Sequence, residues 1–359
     1  MMFCVKRGTS MALTRLRNEA LQCIVFGGKG GVGKTTMATA TALELAKEKK
    51  TLLFTTDPAP SLKHSFGQAI GSEPMAVVGA PNLFAMEING RNIVEEFKKK
   101  YGKDIYELLQ KSTYLSRNEA IEMFKLDIPG LDELMSLKKI TDILEHSAYE
   151  LYVIDTAPTS HTLRLLLLPE LLDNWLKFFA KLRWKHQILI GAFARGKYLE
   201  QVDAFFLEMK KTVRRVKALL QNGGKTEFVI VTRAEKTAIS ETEELLSSLE
   251  HLSIPSKELI INYLLPQETP DSAGQWNRRK TPRSTTTHSF FNASGDFRQT
   301  LDFAEIRRKT QIQYIEELKE NFRTLNFTQV LSQPTEMHGI DRLQQLGAHL
   351  FAEEEEGTT

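Results

Sequence analysis

The stretch Gly28-Lys29-Gly30-Gly31-Val32-Gly33-Lys34-Thr35-Thr36 has the residue types and spacing to hold a triphosphate. Its glycines let consecutive backbone N–H groups converge on phosphate oxygens, and a helix that starts there adds partial positive charge. In the pattern Gly-x4-Gly-Lys-Thr, Lys34 reaches the β- and γ-phosphates and the Thr35 hydroxyl ligates Mg²⁺. A flexible turn with a chance lysine is the bland alternative, and the flanks argue against it. Cys23-Ile24-Val25-Phe26, ahead of the turn, is short and apolar like a buried parallel strand. Behind it, Ala40, Leu43 and Ala46 recur at helical spacing, and Lys47, Lys49 and Lys50 suit a helix C-terminus.

Two acids stand at the ends of other apolar runs. Asp57 follows Thr51-Leu52-Leu53-Phe54-Thr55-Thr56, at the strand end that faces ligands in open α/β sheets. An acid there can position a water for in-line attack on a γ-phosphate, although a turn or cap residue before Pro58 reads equally well alone. Asp155 ends Leu151-Tyr152-Val153-Ile154 and is the expected second anchor for Mg²⁺, through water. The residues after it, His161 among them, can sense the γ-phosphate; a lone histidine is more often a satisfied polar group. Lys29 is unnecessary for cradling phosphate and is either a solvated loop lysine or a second cation for the ligand.

The elements that must position these residues are legible as well. Further strand patterns are Leu83-Phe84-Ala85-Met86-Glu87-Ile88, Glu227-Phe228-Val229-Ile230-Val231-Thr232, Glu258-Leu259-Ile260-Ile261-Asn262 and Phe327-Thr328-Gln329-Val330-Leu331. Helical patterns lie between them, so the expected fold is α/β, with a doubly wound, mainly parallel sheet. Residues 91–146 read as helical throughout. Residues 162–220 combine Leu171, Leu172, Trp175, Phe178 and Phe179 with interleaved Lys177, Lys181 and Arg183, as amphipathic helices do. They are an internal layer or a surface for a hydrophobic partner or membrane. Residues 271–302 read as a polar surface loop, and 1–20 as a frayed N-terminal extension or a short targeting segment.

Composition bounds the function classes. In 359 residues, 47 Lys and Arg against 45 Asp and Glu leave a net charge of +2, so nothing points to a nucleic-acid surface. The two cysteines, Cys4 and Cys23, exclude a disulfide framework and a Cys-x-x-Cys zinc cluster within the chain. No uncharged apolar run approaches the roughly 18 to 20 residues that span a bilayer. A reducing, cytoplasmic setting follows, with any membrane contact peripheral.

Three stretches together resemble one family. They are the Lys29-bearing loop, Asp57-Pro58-Ala59-Pro60-Ser61-Leu62, and Asp155-Thr156-Ala157-Pro158-Thr159-Ser160-His161-Thr162-Leu163-Arg164. The chain resembles the ArsA family, which comprises arsenite-pump ATPases and the factor that targets tail-anchored membrane proteins. The resemblance implies a deviant Walker A P-loop ATPase domain over 21–359, with an inserted helical client or lid subdomain from about 91–146 and 162–220. It implies an ATP- and Mg²⁺-dependent homodimer in which Lys29 reaches the phosphates bound by its twin. Asp57 would be the switch I residue that positions water, and Asp155 and His161 would belong to switch II. Asn262 and the Pro334-Thr335 turn would contact adenine.

The departures from the family are informative. Arsenite binding in the pump uses thiolates, soft ligands for a soft metalloid, and neither cysteine here falls in the lid segments. The targeting factor's zinc-binding Cys-x-x-Cys is replaced by the cysteine-free stretch 272–302. The expected function is therefore an ATP-driven switch for a hydrophobic client such as a tail-anchored segment, without zinc. The alternative is an ATPase subunit energising an anion transporter in the membrane.

Overall fold

Apolar five-residue runs build the centre of the molecule because each is buried on both faces. A computed structural model describes residues 13–57, 62–90, 92–95, 99, 136, 139–144, 149–156, 177, 197–266, 293–333 and 335–352. After a 3-10 turn at Leu13–Arg17, the elements in chain order are β1 (Cys23–Gly27), α1 (Lys34–Leu45), β2 (Thr51–Thr55), α2 (Leu62–Phe66), β3 (Met75–Val77) and β4 (Ala80–Glu87). There follow β5 (Leu151–Asp155), α3 (Lys197–Gln221), β6 (Thr226–Arg233), α4 (Lys236–His251), β7 (Glu258–Leu264), α5 (Ala293–Asn321), β8 (Asn326–Leu331) and α6 (Ile340–Leu350).

Among the described residues, eight strands form one sheet in the order β3-β4-β2-β5-β1-β6-β7-β8. Every neighbouring pair is parallel except β3 with β4. The chain leaves β1 towards β2 and β4 on one side, returns through β5, and continues to β6 on the other. The loop after β1 therefore opens where strand order reverses, the place where open sheets bind ligands.

Alternation along the strands gives each face its own core. Ile24, Phe26, Leu53, Val153, Val229 and Val231 pack with α1, α6, Leu13 and Leu16. Cys23, Val25, Phe54, Ile154, Phe228 and Ile230 pack with α4, with Leu318 of α5 and with Ile140 and Ile143. The sheet is thus covered on both faces, as expected. Phe26, Phe54 and Phe228 are among the largest fully buried side chains, and each contributes roughly 2–3 kcal/mol by the apolar area it removes from water. Helix α1 is buried along most of its length because Ala38, Ala40 and Ala42 leave room for α6. A Cβ on Gly347 of α6 would strike the Ala40 carbonyl, so that crossing requires glycine.

The one short antiparallel edge strand was not visible in the sequence pattern. It is closed by Gln68, whose amide donates to Ala76 O at 2.9 Å and accepts from Val78 N–H at 3.0 Å. A side-chain amide here takes the place of a further strand and blunts the edge.

Two expected boundaries are corrected. Residues 13–20 are not a frayed extension: Leu13 and Leu16 are buried in the core, and Arg17 pairs with Glu44 at 2.8 Å and with Glu48. The run of basic residues hid two leucines three apart that one 3-10 turn brings to the same side. The polar stretch 271–302 is not a loop throughout, since α5 already begins at Ala293. Polar texture marks a solvated helix face as readily as a loop. Residues 271–292 lie outside the described residues, as do most of the expected lid segments 91–146 and 162–196; α3 supplies the remainder of the second segment. No helix among the described residues is long and apolar enough to cross a membrane.

Candidate active site

The C-terminal ends of β1, β2 and β5 lie side by side, with Phe26 opposite Asp155 and Thr55 opposite Asp155 in register. The glycine loop rises between β1 and α1. Gly28, Gly31 and Gly33 take φ of 146°, 78° and 96°, conformations that L side chains avoid. A Cβ on Gly28 would collide with the Val231 carbonyl, and one on Gly33 with the Asn262 amide. Gly33 then caps α1 without a side-chain bond, so the helix's first N–H groups remain available to an anion.

Lys34, the first residue of α1, folds back so that Nζ donates to the Lys29 carbonyl at 2.9 Å. Burial pulls its ammonium below the usual lysine range, and the fields of Asp155, Asp57 and Glu241 oppose that pull. The Lys29 ammonium forms an ion pair with Glu241 of α4 at 2.8 Å.

Asp155 is the hub. Its Oδ2 accepts from the Thr35 hydroxyl at 2.7 Å and from the Thr55 hydroxyl at 3.0 Å. Its Oδ1 is buried without a hydrogen-bond partner. Burial pushes its carboxyl up to about 6, against the downward effects of both hydroxyls and Lys34. A hydroxyl and a buried, half-satisfied carboxylate are oxygen donors of the kind that a hard divalent cation takes. No cluster of His, Cys, Asp and Glu competes as a metal site among the described residues.

Both segments leaving this hub are tied to it. Thr55 Oγ1 accepts from the Asp57 N–H at 3.1 Å, and Thr56 N–H donates to the Asp155 carbonyl at 3.0 Å. Thr156 is pinned to the Phe26 carbonyl through its N–H at 3.2 Å and its hydroxyl at 2.7 Å. Beyond residues 58–61, α2 begins where Glu87 accepts from the Leu62 and Lys63 N–H groups at 3.1 and 3.3 Å.

A cavity of about 440 Å³ adjoins α1, lined among others by Thr36, Met37, Asn262, Tyr263, Thr335 and Met337. Asn262 braces its inner wall, donating from Nδ2 to Val32 O at 2.9 Å and accepting from the Tyr263 N–H at 2.8 Å. Tyr263 has a left-handed φ of 59°, and its ring lies 4.8 Å from the Arg233 guanidinium. Arg342 of α6 donates to the Thr335 hydroxyl at 2.9 Å and to Glu336 O at 3.0 Å, fixing the outer wall.

Gly28, Lys29, Gly30, Gly31, Val32, Gly33, Lys34, Thr35, Thr36, Asp57 and Asp155 thus share one end of the sheet, with Asn262 and Thr335 at the adjoining cavity. His161 and Pro334 lie outside the described residues. Thr55, Thr156, Tyr263 and Glu241 were missed. Thr55 stands two residues before a strand-end acid and was readable as a hydroxyl partner for an acid, whereas the bond from Thr156 to the Phe26 carbonyl depends on strand order. Glu241 lies more than two hundred residues from the loop and carries no local signal.

Cys23 is buried in β1, and burial raises its thiol to about 12. It offers no thiolate for a soft metalloid.

Comparison with known proteins agrees with this geometry. The family model described as anion-transporting ATPase, ArsA_ATPase, matches residues 21–298. Two Paramecium tetraurelia proteins, "ATPase ASNA1 homolog 1" and "ATPase ASNA1 homolog 2", are each 35% identical over 259 residues, 70% of this chain and 77% and 78% of theirs. "ATPase get3" of Aspergillus terreus is 28% identical over 337 residues, 92% of this chain and 90% of its own. The match takes in the glycine loop, the Asp155 hub and both halves of the sheet, and with them the chain belongs to the ArsA family of ATPases.

Proposed function

We propose that two copies of this chain sandwich ATP, and that binding and hydrolysis open and close a helical surface that receives tail-anchored membrane proteins. The observation that carries this reading is the shared carboxylate at Asp155. One side chain joins the phosphate loop through Thr35 to the ends of β2 and β5, from which both switch segments depart. A ligand bound there biases both segments together.

In this reading the loop N–H groups and Lys34 hold the phosphates, and Asn262 with the Pro334-Thr335 turn holds the adenine. Thr35 and Asp155 would hold Mg²⁺, whose chemistry when bound would be to screen phosphate charge. Asp57 positions the attacking water, which is an orienting task. Lys29 completes the seat of the partner copy, and His161 reports the γ-phosphate from the second switch. The client or lid subdomain comes from 91–146 and 162–220, where Leu171, Leu172, Trp175, Phe178 and Phe179 supply apolar surface. The protein works in the cytoplasm, meeting a receptor at the membrane surface, and the dimer forms without a Cys-x-x-Cys zinc site. The apolar density of 162–220 and the lack of cysteine in the lid segments support the client class, and similarity over nine tenths of both chains to "ATPase get3" supports the engine.

The test is photocrosslinking of ATP-bound protein to single apolar helices, with and without polar substitutions at Leu172, Trp175 and Phe179. Nucleotide-dependent capture that the substitutions abolish is the expected result. Capture that ignores them removes the client assignment and leaves the ATPase. ATPase stimulation by an oxyanion and not by a helix would favour the transporter role.

A further inference from the structure

Both cations of the phosphate seat are already engaged by groups of the same chain. Lys34 turns to a loop carbonyl, which an arriving phosphate replaces directly. Lys29 is different, because its partner is a full charge on another element. Glu241 stands in the second turn of α4, its carboxylate 2.8 Å from Lys29 Nζ. Its place is fixed, since the neighbouring Thr242 hydroxyl is bonded to Thr232 of β6 at 2.9 Å. Its field also reaches the Lys34 ammonium.

An acid at the lip of an anion seat repels the ligand, and hydrolysis gives it no task that Asp57 and Asp155 do not already perform. Its use must lie in what it does to Lys29. We propose that Glu241 is a positioning residue that parks the Lys29 ammonium on its own subunit until a second, nucleotide-bearing copy offers a stronger anion. This rests on the reading of Lys29 as a residue that acts across a homodimer, and it adds the group from which Lys29 must be released.

The strength of the pair suits an exchange. Lys29 and Glu241 are 33% and 37% exposed, and a pair so wet shifts an equilibrium by about fivefold at most. That is enough to hold the side chain in place and too little to resist a bound triphosphate, which offers several charged oxygens in a seat closed from water. A two-fold symmetric pair makes the exchange twice. Glu241 therefore shifts the threshold at which subunits join by about twenty-five-fold at most, the product of two such factors, with about tenfold a mid-range value.

Two measurements on the full chain test the proposal. One is the rate at which an amine-acylating reagent labels Lys29 in nucleotide-free protein, read by peptide mass spectrometry. The other is the monomer–dimer midpoint in sedimentation velocity with a hydrolysis-resistant ATP analogue. Glu241→Gln is expected to speed Lys29 labelling several-fold and to lower the midpoint about tenfold, with Glu241→Ser acting alike and Glu241→Asp recovering part of both. Unchanged labelling overturns the parking, even if pairing shifts, because Glu241 then acts through general charge. Labelling that responds while the midpoint does not overturns the exchange. Wild-type protein that never pairs under the analogue ends the homodimer reading and the exchange with it, and the labelling arm still decides whether Glu241 holds Lys29.

Discussion

Asp155 shows how much one buried carboxylate can set. Burial raises it from 3.8 to about 6, so the folded chain binds a proton there more tightly than the unfolded chain does. The sign follows: charging Asp155 costs nothing below about pH 4, and the cost is complete above about pH 6, where it reaches about 2–3 kcal/mol. Asp155→Asn should therefore stabilise the nucleotide-free protein by that order at about pH 8 in urea titrations, and leave it nearly unchanged at about pH 4. On the proposed role of Asp155 as the Mg²⁺ anchor, the same substitution should lower turnover by about a hundredfold or more. Wild-type affinity for Mg-ATP should weaken as pH drops below about 6, where a proton competes with the metal. A variant that is both more stable and fully active would refute the role of this carboxylate. Glycine and lysine spacing made the loop readable, and a strand-end acid made Asp155 readable. The hydroxyl bridges that join them depend on which strands are neighbours, and no local pattern records that.

At the scale of elements, short apolar runs and the turn residues between them gave β1, β2, β4 to β8 and α4 to within a few residues. What escaped were elements whose identity comes from their partners. Leu13 and Leu16 are an unremarkable pair until the turn at Leu13–Arg17 places them on α1 and α6. Leu16→Ala should cost about 2–4 kcal/mol, as other buried leucines do, measured by denaturant midpoint at constant slope. A frayed segment would lose nothing. The opposite end of the sheet from the site holds a second legible acid with an illegible setting. Glu258 of β7 accepts from Asn326 at 2.8 Å through Oε1, while Oε2 is buried without a partner, and Glu227 of β6 is close enough to raise it further. Burial, ahead of that neighbour, pushes Glu258 up to about 7. Its charging cost is absent below about pH 4.5 and complete above about pH 7, so Glu258→Gln should add about 2 kcal/mol at about pH 8 and little at about pH 4.5. Equal gain at both pH values would mean that packing, not charge, is the cause.

At the scale of the whole molecule, the sheet separates two tasks. Its buried faces keep β1, β2 and β5 at fixed spacing, and their C-terminal ends present the glycine loop, Asp57 and Asp155 side by side. A homodimer built on such a sheet needs ATP to bind the paired state better than the single one, and the differential contact assigned here is Lys29 on the partner's phosphates. Chemistry and pairing should then separate on mutation of Asp57 and fall together on mutation of Lys29. Asp57→Asn keeps the size of the side chain and weakens its hold on the attacking water, so hydrolysis should fall by about a hundredfold or more. Nucleotide contacts are untouched, and the variant should remain paired in ATP for as long as ATP persists, whereas wild type returns to monomer as ADP accumulates. Lys29→Ala should instead remove pairing and lower hydrolysis with it, because the partner's phosphate seat is left incomplete, while ATP binding to the single chain stays nearly intact. Sedimentation velocity beside a phosphate-release assay reads both quantities in one sample. If Asp57→Asn dissociates as fast as wild type, release of the partner does not wait for hydrolysis, and the γ-phosphate is not what holds the two copies together.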